Sequence, residues 1–480
     1  MTQKFETKQD ARLVSVSRAD DLTTPVAAYL KLAKNRRNCF LLESVEGGSF
    51  RGRYCAIGLD PDLIWTVEAG RPFLTHTDGA AAPTSDGDCP IASLKRLLSN
   101  SRLDVDENTP GIAAGVFGYI GYDLIRAIEP LPDTQAPDPT GVSEARLIRP
   151  RTILVFDALH QTITAYQRVD TAEEEETARS RLDALLKELD APLPERSFAV
   201  PAVVAPVSTF EAADYRKCVD RIKEHIRAGD IFQGVLSQRF STEFNLPPFA
   251  LYRALRRLNP SPFLFHFQFD TYAITGSSPE ILVRLRDGIV TVRPIAGTRP
   301  RGNSPAEDAT LEADLLADPK ERAEHMMLLD LGRNDVGRVA RPGTIRITER
   351  EIVERYSHVM HIVSNVEGEL AEDEDAVSAL FAGFPAGTVS GAPKVRAMQI
   401  LDEIEPHRRG YYAGAAGYFG ADGNMDMAIT LRTALLKDGQ MHVQAGAGIV
   451  LDSDPEAERQ ECINKARALF RAAEDAHQFI

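Results

Sequence analysis

Three Asp-Gly pairs in the second half of the chain constrain its fold more than any other feature. They are Asp287-Gly288, Asp422-Gly423 and Asp438-Gly439, and each lies between runs rich in residues that favour β-strands. An Asp-Gly pair suits the left-handed backbone of a tight hairpin turn. The surrounding runs, TYAITGSSPEILVRL, IVTVRPIAGTRPR, YYAGAAGYFG, MDMAITLRTALL and MHVQAGAGIVLD, therefore predict an antiparallel meander.

The first part of the chain also favours strands, and a Pro-rich segment follows it. CFLLESVEGG, YCAIGLDPDLIWTVEAG and GIAAGVFGYIGYDLI predict strands, RTILVFDALHQTITAYQRV a hairpin, and TAEEEETARSRLDALLKEL a helix. The Pro-rich segment 191–207 predicts a linker between residues 1–190 and 208–480. Ser208 and Glu211 then predict a capping box that opens a helix ended by Gly229.

The composition is that of a globular protein. The chain has 480 residues, 43% of them hydrophobic and 26% charged, and a net charge of −15 spread along its length. This acidic balance argues against a nucleic-acid or anionic-membrane partner, and an anionic substrate would need a locally positive site. Five cysteines without a C-x-x-C pair, no apolar leader and no long apolar run predict free thiols in a cytosolic protein without a membrane segment.

Two predicted helices begin alike, and each carries a pair of glutamates. DPKERAEHMMLLDL and DPEAERQECINKARALF both start with an Asp-Pro pair, in which Asp318 or Asp454 is the expected N-cap. The glutamates three residues apart share a helix face, and together they suit a hard cation such as Mg²⁺; they are Glu321, Glu324, Glu458 and Glu461. The alternative is that Glu321 only completes the cap and the others are surface charges.

Three further features have both a chemical and a purely structural reading. The Gly-rich run FPAGTVSGAPKVRAMQILDEI either binds a carboxylate at a helix start or is only a helix entry, and it lacks the spacing of a P-loop. Arg432 shares a predicted strand face with Thr430, so it points to solvent or into a polar pocket. In HVMHIVSNVEGEL, His358 and His361 are ligands, proton-transfer groups or packing residues.

Taken together, these runs resemble a known family. LLESVEGG, GDIFQGVLSQRF, NPSPFLFHF, GSSPEILV, PIAGTRPRG, DPKERAEHMMLLDLGRNDVGRV, HVMHIVSNVEG, FPAGTVSGAPK and GAGIVLDSDPEAERQECINKA are similar to the large subunits of anthranilate synthases, which belong to the chorismate-utilising enzymes. The resemblance covers about Cys39 to Ala466. It implies an α+β fold in which two large antiparallel sheets pack together with helices outside, so that residues 1–190 and 208–480 are intertwined.

The resemblance also implies a reaction. Chorismate and ammonia would give aminodeoxyisochorismate, which loses pyruvate to leave anthranilate in the first step of tryptophan biosynthesis, with Mg²⁺ required. Ammonia would come from glutamine through a separate glutaminase subunit, because the chain carries no Cys-His-Glu glutaminase region. The expected assembly is a hetero-oligomer, a heterotetramer in the simplest case.

The family pattern assigns expected roles to individual residues. Glu280 matches the general acid that protonates the departing 4-hydroxyl, and a carboxyl in that role needs its pKa raised by burial or by negative neighbours. Gln233 stands where water-adding relatives carry a lysine base, and His361, not His358, matches the histidine linked to pyruvate elimination. The remaining substrate-site positions are Thr388, Tyr412, Arg432, Gly446, Gly448 and Lys465, and the four glutamates match the Mg²⁺ positions. Arg432 and Lys465 would bind the carboxylates of chorismate, although Lys465 also has the spacing of an intrahelical pair with Glu461.

A second site is implied for tryptophan as a feedback inhibitor. Its expected residues come from LLES and NPSPF and are Leu42, Glu43, Ser44, Asn259, Pro260, Ser261, Pro262 and Phe263. The alternative is that the leucines are core and Ser44 begins a turn. An inhibitor that binds one arrangement of the sheets better than another would shift their populations.

Three rival functions remain open. Aminodeoxychorismate synthase component I usually has a lysine in PIKGT, where this chain has Ala296, and alanine cannot attack the ring covalently. An enzyme that stops at aminodeoxyisochorismate would not need His361. A catalytically silent tryptophan-binding protein would not need the four glutamates and Glu280.

Overall fold

The computed structural model describes residues 11–43, 52–77, 82–132, 136–195, 205–356 and 359–480. Its strands are β1 (Arg12–Ala19), β2 (Cys39–Glu43), β3 (Tyr54–Glu68), β4 (Arg71–His76), β5 (Thr84–Ser85), β6 (Gly115–Ile120), β7 (Ala145–Asp157), β8 (Thr162–Val169), β9 (Val207–Ser208), β10 (Gln233–Glu243), β11 (Phe263–Gln268), β12 (Tyr272–Ser278), β13 (Ile281–Arg286), β14 (Ile289–Val292), β15 (Ile295–Pro300), β16 (Arg346–Arg355), β17 (Val359–Glu369), β18 (Gly391–Ala392), β19 (Ala415–Gly420), β20 (Met425–Ile429), β21 (Thr433–Lys437) and β22 (Gln440–Ile449). The α-helices are α1 (Pro25–Leu32), α2 (Pro90–Ser101), α3 (Glu175–Glu188), α4 (Ala212–Arg227), α5 (Pro248–Leu258), α6 (Pro305–Ala317), α7 (Pro319–Gly337), α8 (Ala376–Gly383), α9 (Gly387–Ser390), α10 (Lys394–Ile404) and α11 (Pro455–Asp475).

All three Asp-Gly pairs turn antiparallel hairpins, as the sequence predicts. They join β13 to β14, β19 to β20, and β21 to β22. At Asp287-Gly288 the φ angles are 50° and 76°, and at Asp438-Gly439 they are 51° and 71°, so both residues of each pair are left-handed. Asparagine, aspartate and glycine adopt this conformation most readily, which explains the choice of residues.

The strands form one antiparallel network with two arms that meet at β7. The first arm runs β7-β3-β2-β11-β12-β21-β22-β10. The second runs β7-β6-β19-β20-β13-β14-β17, and both β15 and β16 pair with β17. Strands from residues 1–190 thus pair directly with strands from residues 208–480. The α+β architecture expected from the family resemblance is confirmed.

The main core lies between the two arms. It contains Phe265 and Leu435 from the first arm and Phe117, Val283 and Met427 from the second, each at most 2% exposed. Burying apolar side chains from both faces at once is the dominant favourable term in folding and fixes how the arms pack. Helices α4, α5 and α11 cover the outer face of the first arm through separate apolar clusters.

Two local predictions are wrong, and both fail because a contact distant in sequence decides the structure. The predicted capping box does not form: Glu211 is the N-cap of α4 without a side-chain hydrogen bond, and Ser208 lies in β9, where its hydroxyl bonds to Gln238. The run MDMAITLRTALL is not one strand, because it breaks at Thr430–Arg432 between β20 and β21. Among the described residues, no helix is both long and apolar enough to cross a membrane.

Candidate active site

The carboxyl group of Glu280 is the most perturbed acid at the candidate site. It lies in the two-residue link between β12 and β13 and is 8% exposed. Thr388, in the short helix α9, donates a hydrogen bond from its hydroxyl to Glu280 Oε1 at 3.1 Å. Burial raises the pKa of Glu280 to about 8, whereas the Thr388 hydrogen bond and the positive charges of Arg432 and Lys465 act in the opposite direction. A carboxyl group that keeps its proton near neutral pH can act as a general acid.

Arg432 lies at the break between β20 and β21 and not on a strand face. Its φ of 47° is left-handed, and its backbone carbonyl accepts a hydrogen bond from the Ser277 amide at 3.1 Å. The half-buried guanidinium donates to Asn259 Oδ1 at 3.4 Å and is close enough to Glu280 and His361 to affect the pKa of each. The sequence left open whether the Arg432 side chain points to solvent or into a polar pocket, and in the structure it points into a polar pocket.

His361 lies on β17, and its ring is held in one orientation. Its Nδ1 is 2.8 Å from the carbonyl oxygen of Gly297, and the Tyr356 ring packs against it edge-on at 5.6 Å between centroids. A carbonyl only accepts, so we assign the proton to Nδ1, which leaves Nε2 with a free lone pair. Burial lowers the pKa of His361, with a smaller opposing effect of the Gly297 carbonyl. The ring is therefore a neutral base at pH 7. His358 lies outside the described residues.

Two glycines of β22 leave room for polar side chains. A Cβ atom on Gly448 would lie 2.5 Å from Gln233 Nε2, and one on Gly446 would lie 2.8 Å from the Tyr412 hydroxyl. Lys465 donates from Nζ to the Gly446 carbonyl oxygen at 3.0 Å. Five of the predicted substrate-site residues, Gln233, Tyr412, Gly446, Gly448 and Lys465, thus lie together along β22.

Each of the four glutamates predicted to bind metal has a partner within the protein. The contacts are Glu321 with Arg299 at 3.1 Å, Glu324 with Gln233 at 3.3 Å, Glu461 with Lys465 at 2.7 Å, and Glu458 with Ser453. The expected N-caps Asp318 and Asp454 are confirmed, since each accepts two backbone N–H groups. The intrahelical pair of Lys465 with Glu461 is present as well.

The two glutamate pairs approach the same region without forming a closed cage. Burial raises the pKa of Glu324 and of Glu458, and both carboxylates feel the charges of Lys465 and Lys320. Among the described residues, no group of three or more His, Cys, Asp or Glu side chains is close enough to hold a metal ion. Mg²⁺ usually binds proteins through one or two carboxylates and takes its other oxygen ligands from water and substrate. These carboxylates are therefore chemically suited to a Mg²⁺ ion whose coordination is completed by water and substrate.

A cavity of about 550 Å³ lies beside the active site and contains part of the predicted feedback site. Leu42, Glu43, Pro262 and Phe263 line it, whereas Asn259, Pro260 and Ser261 do not, and Ser44 lies outside the described residues. Arg293, Glu354 and Tyr356 line it as well. A cavity of this size with a few polar groups suits a small organic ligand.

Glu43 is one of the charged residues that line this cavity. Its side chain is 1% exposed and accepts two hydrogen bonds from Arg256, at 2.7 and 3.0 Å, and a third from the Tyr252 hydroxyl. A buried carboxylate with three donors is held rigidly in place. Asn259, from the same predicted site, instead contacts Arg432 and so connects the NPSPF segment to the active site.

The sequence analysis missed a buried ion pair that supports the site. Arg409 pairs with Glu405 at 2.7 Å and also donates to the carbonyl oxygens of Val389 and Val235, both at 2.6 Å. It therefore ties the segment that carries Thr388 to the strand that carries Gln233. No local pattern marks such a residue, because its partners lie on three separate elements.

Comparison with known proteins defines the class of this protein. A family model described as chorismate binding enzyme matches residues 38–471, so the chain belongs to the chorismate binding enzymes.

Within that family the chain matches anthranilate synthase component 1. It is 55% identical to the protein of that name from Cereibacter sphaeroides, over 96% of this chain and 94% of the relative. It is 48% identical to the one from Pseudomonas putida, over 95% and 94%. The crystal structure of anthranilate synthase component I from Streptococcus pneumoniae superposes with a TM-score of 0.79 at 36% identity, covering 94% of this chain and 98% of that one. MenF, an isochorismate synthase from Escherichia coli, shares the fold with a TM-score of 0.73 at 22% identity, covering 96% of this chain and 94% of that one.

Proposed function

We propose that this chain is the chorismate-binding subunit of an anthranilate synthase and converts chorismate and ammonia to anthranilate and pyruvate. The observation that carries the proposal is the raised pKa of Glu280, about 8, in a chain 55% identical to an anthranilate synthase component. A protonated carboxyl and a neutral histidine, both within electrostatic range of Arg432, would supply an acid and a base at one pH.

The cations of the site would bind the dianionic substrate. Arg432 and Lys465 both act on Glu280 electrostatically, so they lie close to the proposed acid. Each would pair with one carboxylate of chorismate, giving an acidic protein the local positive charge that it needs. Tyr412 and the two glycines of β22 would shape the space for the ring.

The acid and the base would act in two successive steps. In the first, ammonia attacks the ring while Glu280 protonates the departing 4-hydroxyl, which leaves as water. Ammonia is its own nucleophile, which agrees with Gln233 at a position where a lysine base would be needed to activate water. In the second, Nε2 of His361 takes a proton from the amino-bearing carbon and pyruvate leaves, so the ring becomes aromatic.

Mg²⁺ is proposed as the cofactor, held by Glu321, Glu324, Glu458 and Glu461 together with substrate oxygens. When bound it would neutralise substrate carboxylate charge. Glu324 of the first pair and Glu458 of the second both lie within electrostatic range of Lys465 and Lys320, which supports a common site for the two pairs. The residues Glu280 and His361 do the proton transfer.

Two partners are proposed in addition. The relatives are named component 1, which supports a second component, a glutaminase that supplies ammonia, and a hetero-oligomeric enzyme of tryptophan biosynthesis. Tryptophan is the proposed feedback inhibitor. It would occupy the cavity lined by Leu42, Glu43, Pro262 and Phe263, where Glu43 offers a buried carboxylate for an amino group.

One assay tests the proposal. Purified protein is incubated with chorismate, Mg²⁺ and ammonium, and anthranilate is followed by its fluorescence while pyruvate is measured in parallel. Equal amounts of both products support the proposal. Aminodeoxychorismate, aminodeoxyisochorismate without pyruvate, or no product would instead identify one of the three rival functions.

A further inference from the structure

Arg299, on β15, is surrounded by three carboxylates, one from α6 (Asp314) and two from the start of α7 (Asp318 and Glu321). Its Nε lies 2.7 Å from Asp314 Oδ2, its Nη2 2.8 Å from Asp318 Oδ2, and its Nη1 3.1 Å from Glu321 Oε1. The side chain is 19% exposed, so these contacts are partly shielded from water. Arg299 therefore directs Nη1 and Nη2 to the start of α7, which carries the first glutamate pair, and Nε to the last turns of α6.

The second carboxylate oxygen of Glu321 lies near the backbone of β15. This oxygen, Oε2, lies close to Gly297, where a Cβ atom would be 3.2 Å away. Gly297 has a φ of 67° and its carbonyl oxygen is the partner of His361 Nδ1. The carboxylate of Glu321 thus lies between the arginine and the backbone that orients the proposed base.

We propose that Arg299 is an internal counter-ion of Glu321 that competes with the divalent cation and sets the affinity of the site for it. The inference rests on the proposed function, because it assumes that Glu321 faces the cation. A guanidinium and Mg²⁺ both need the same carboxylate oxygen, and each positive charge near the site opposes the arrival of another. The cation must therefore displace Arg299 or share Glu321 with it.

The matched control is Arg301, two residues further along the chain. It makes the same kind of contact between this segment and α6, through Asp308 at 2.6 Å, and it has no contact with Glu321 among those described. Replacing Arg301 therefore tests the loss of an arginine tie to α6 without freeing the proposed metal ligand.

The experiment measures cation binding directly. Isothermal titration calorimetry with Mg²⁺ and electron paramagnetic resonance with Mn²⁺ are applied to the full chain, with and without chorismate, for the parent protein, Arg299→Gln, Arg299→Lys and Arg301→Gln. Arg299→Gln is expected to bind the cation about three- to tenfold more tightly, the size expected for removing a partly exposed ion pair. Arg299→Lys keeps the charge and is expected to stay near the parent value, as is Arg301→Gln. Circular dichroism confirms that each variant is folded.

A double variant shows whether the gain passes through Glu321. In Glu321→Gln the further change Arg299→Gln should give no tightening, because the shared carboxylate is gone. Unchanged or weaker binding in folded Arg299→Gln, or equal tightening in Arg301→Gln, would overturn the inference while leaving the proposed function intact. If the parent protein shows no cation binding that Glu458→Gln removes, the proposed metal site and the inference both fail.

Discussion

The raised pKa of Glu280 makes a prediction about stability as well as catalysis. Below its ordinary pKa of 4.5 the carboxyl is protonated in both the folded and the unfolded chain and has no effect on their balance. Between 4.5 and about 8 the unfolded chain releases the proton and the folded chain keeps it. The free energy of unfolding therefore falls as the pH rises through this window, by about 1.4 kcal/mol per pH unit.

Replacing Glu280 with glutamine removes this penalty and keeps the shape of the side chain. Over the whole window the penalty reaches about 5 kcal/mol, so Glu280→Gln should be more stable than the parent protein at pH 8 while making no anthranilate. The stability advantage should grow by about 3 kcal/mol between pH 5.5 and pH 8 and then level off. Urea unfolding followed by circular dichroism at five pH values measures it.

Thr388 provides the control for this prediction. Its hydroxyl donates to the Glu280 carboxylate and so favours the ionised form. Thr388→Val should therefore raise the pKa of Glu280 further and move the alkaline limb of the kcat profile to higher pH, whereas Thr388→Ser should leave both in place. A stability difference between Glu280→Gln and the parent that does not vary with pH would refute the reasoning.

Three further predictions concern the other proposed roles. His361→Ala should cut anthranilate formation by about 10²- to 10⁴-fold while aminodeoxyisochorismate accumulates, which liquid chromatography with mass spectrometry detects; normal anthranilate yield from a folded variant would rule out the role. Arg432→Lys should raise the KM for chorismate about tenfold or more with a smaller change in kcat, because lysine cannot make a two-pronged contact with a carboxylate, and an unchanged KM would place the substrate elsewhere. Glu43→Gln should abolish inhibition by tryptophan and lower the free energy of unfolding by about 1–3 kcal/mol, since Arg256 loses its charged partner; retained inhibition in a titration would contradict the assignment of the cavity.

Local sequence signals were sufficient for the framework of this fold. The Asp-Gly pairs specified three hairpins, and at Asp287-Gly288 and Asp438-Gly439 this is because the left-handed turn depends on those two residues alone. The Asp-Pro starts specified α7 and α11 for the same reason, since a cap needs only its own helix. Such features can be read directly from the sequence.

The parts that the sequence did not predict depend on contacts between distant elements. Arg432 leaves the strand because the Ser277 amide bonds to its carbonyl, and Ser208 leaves the capping box because Gln238 accepts its hydroxyl. Arg299 meets Glu321 only after β15 packs against α7. The site roles of Glu280 and His361 came from the family resemblance, because a single histidine in an apolar strand is otherwise an ordinary core residue.

The link between β12 and β13 places the two proposed sites back to back. Pro279 and Ile281 line the cavity, while Glu280 between them faces Thr388 on the other side. The wall between the proposed inhibitor cavity and the proposed acid is thus one polypeptide layer thick. Enlarging the cavity at Ile281 would therefore change the chain on both sides of Glu280 at once, whereas substitutions at Leu42, on a different strand, would alter the cavity and leave that layer untouched.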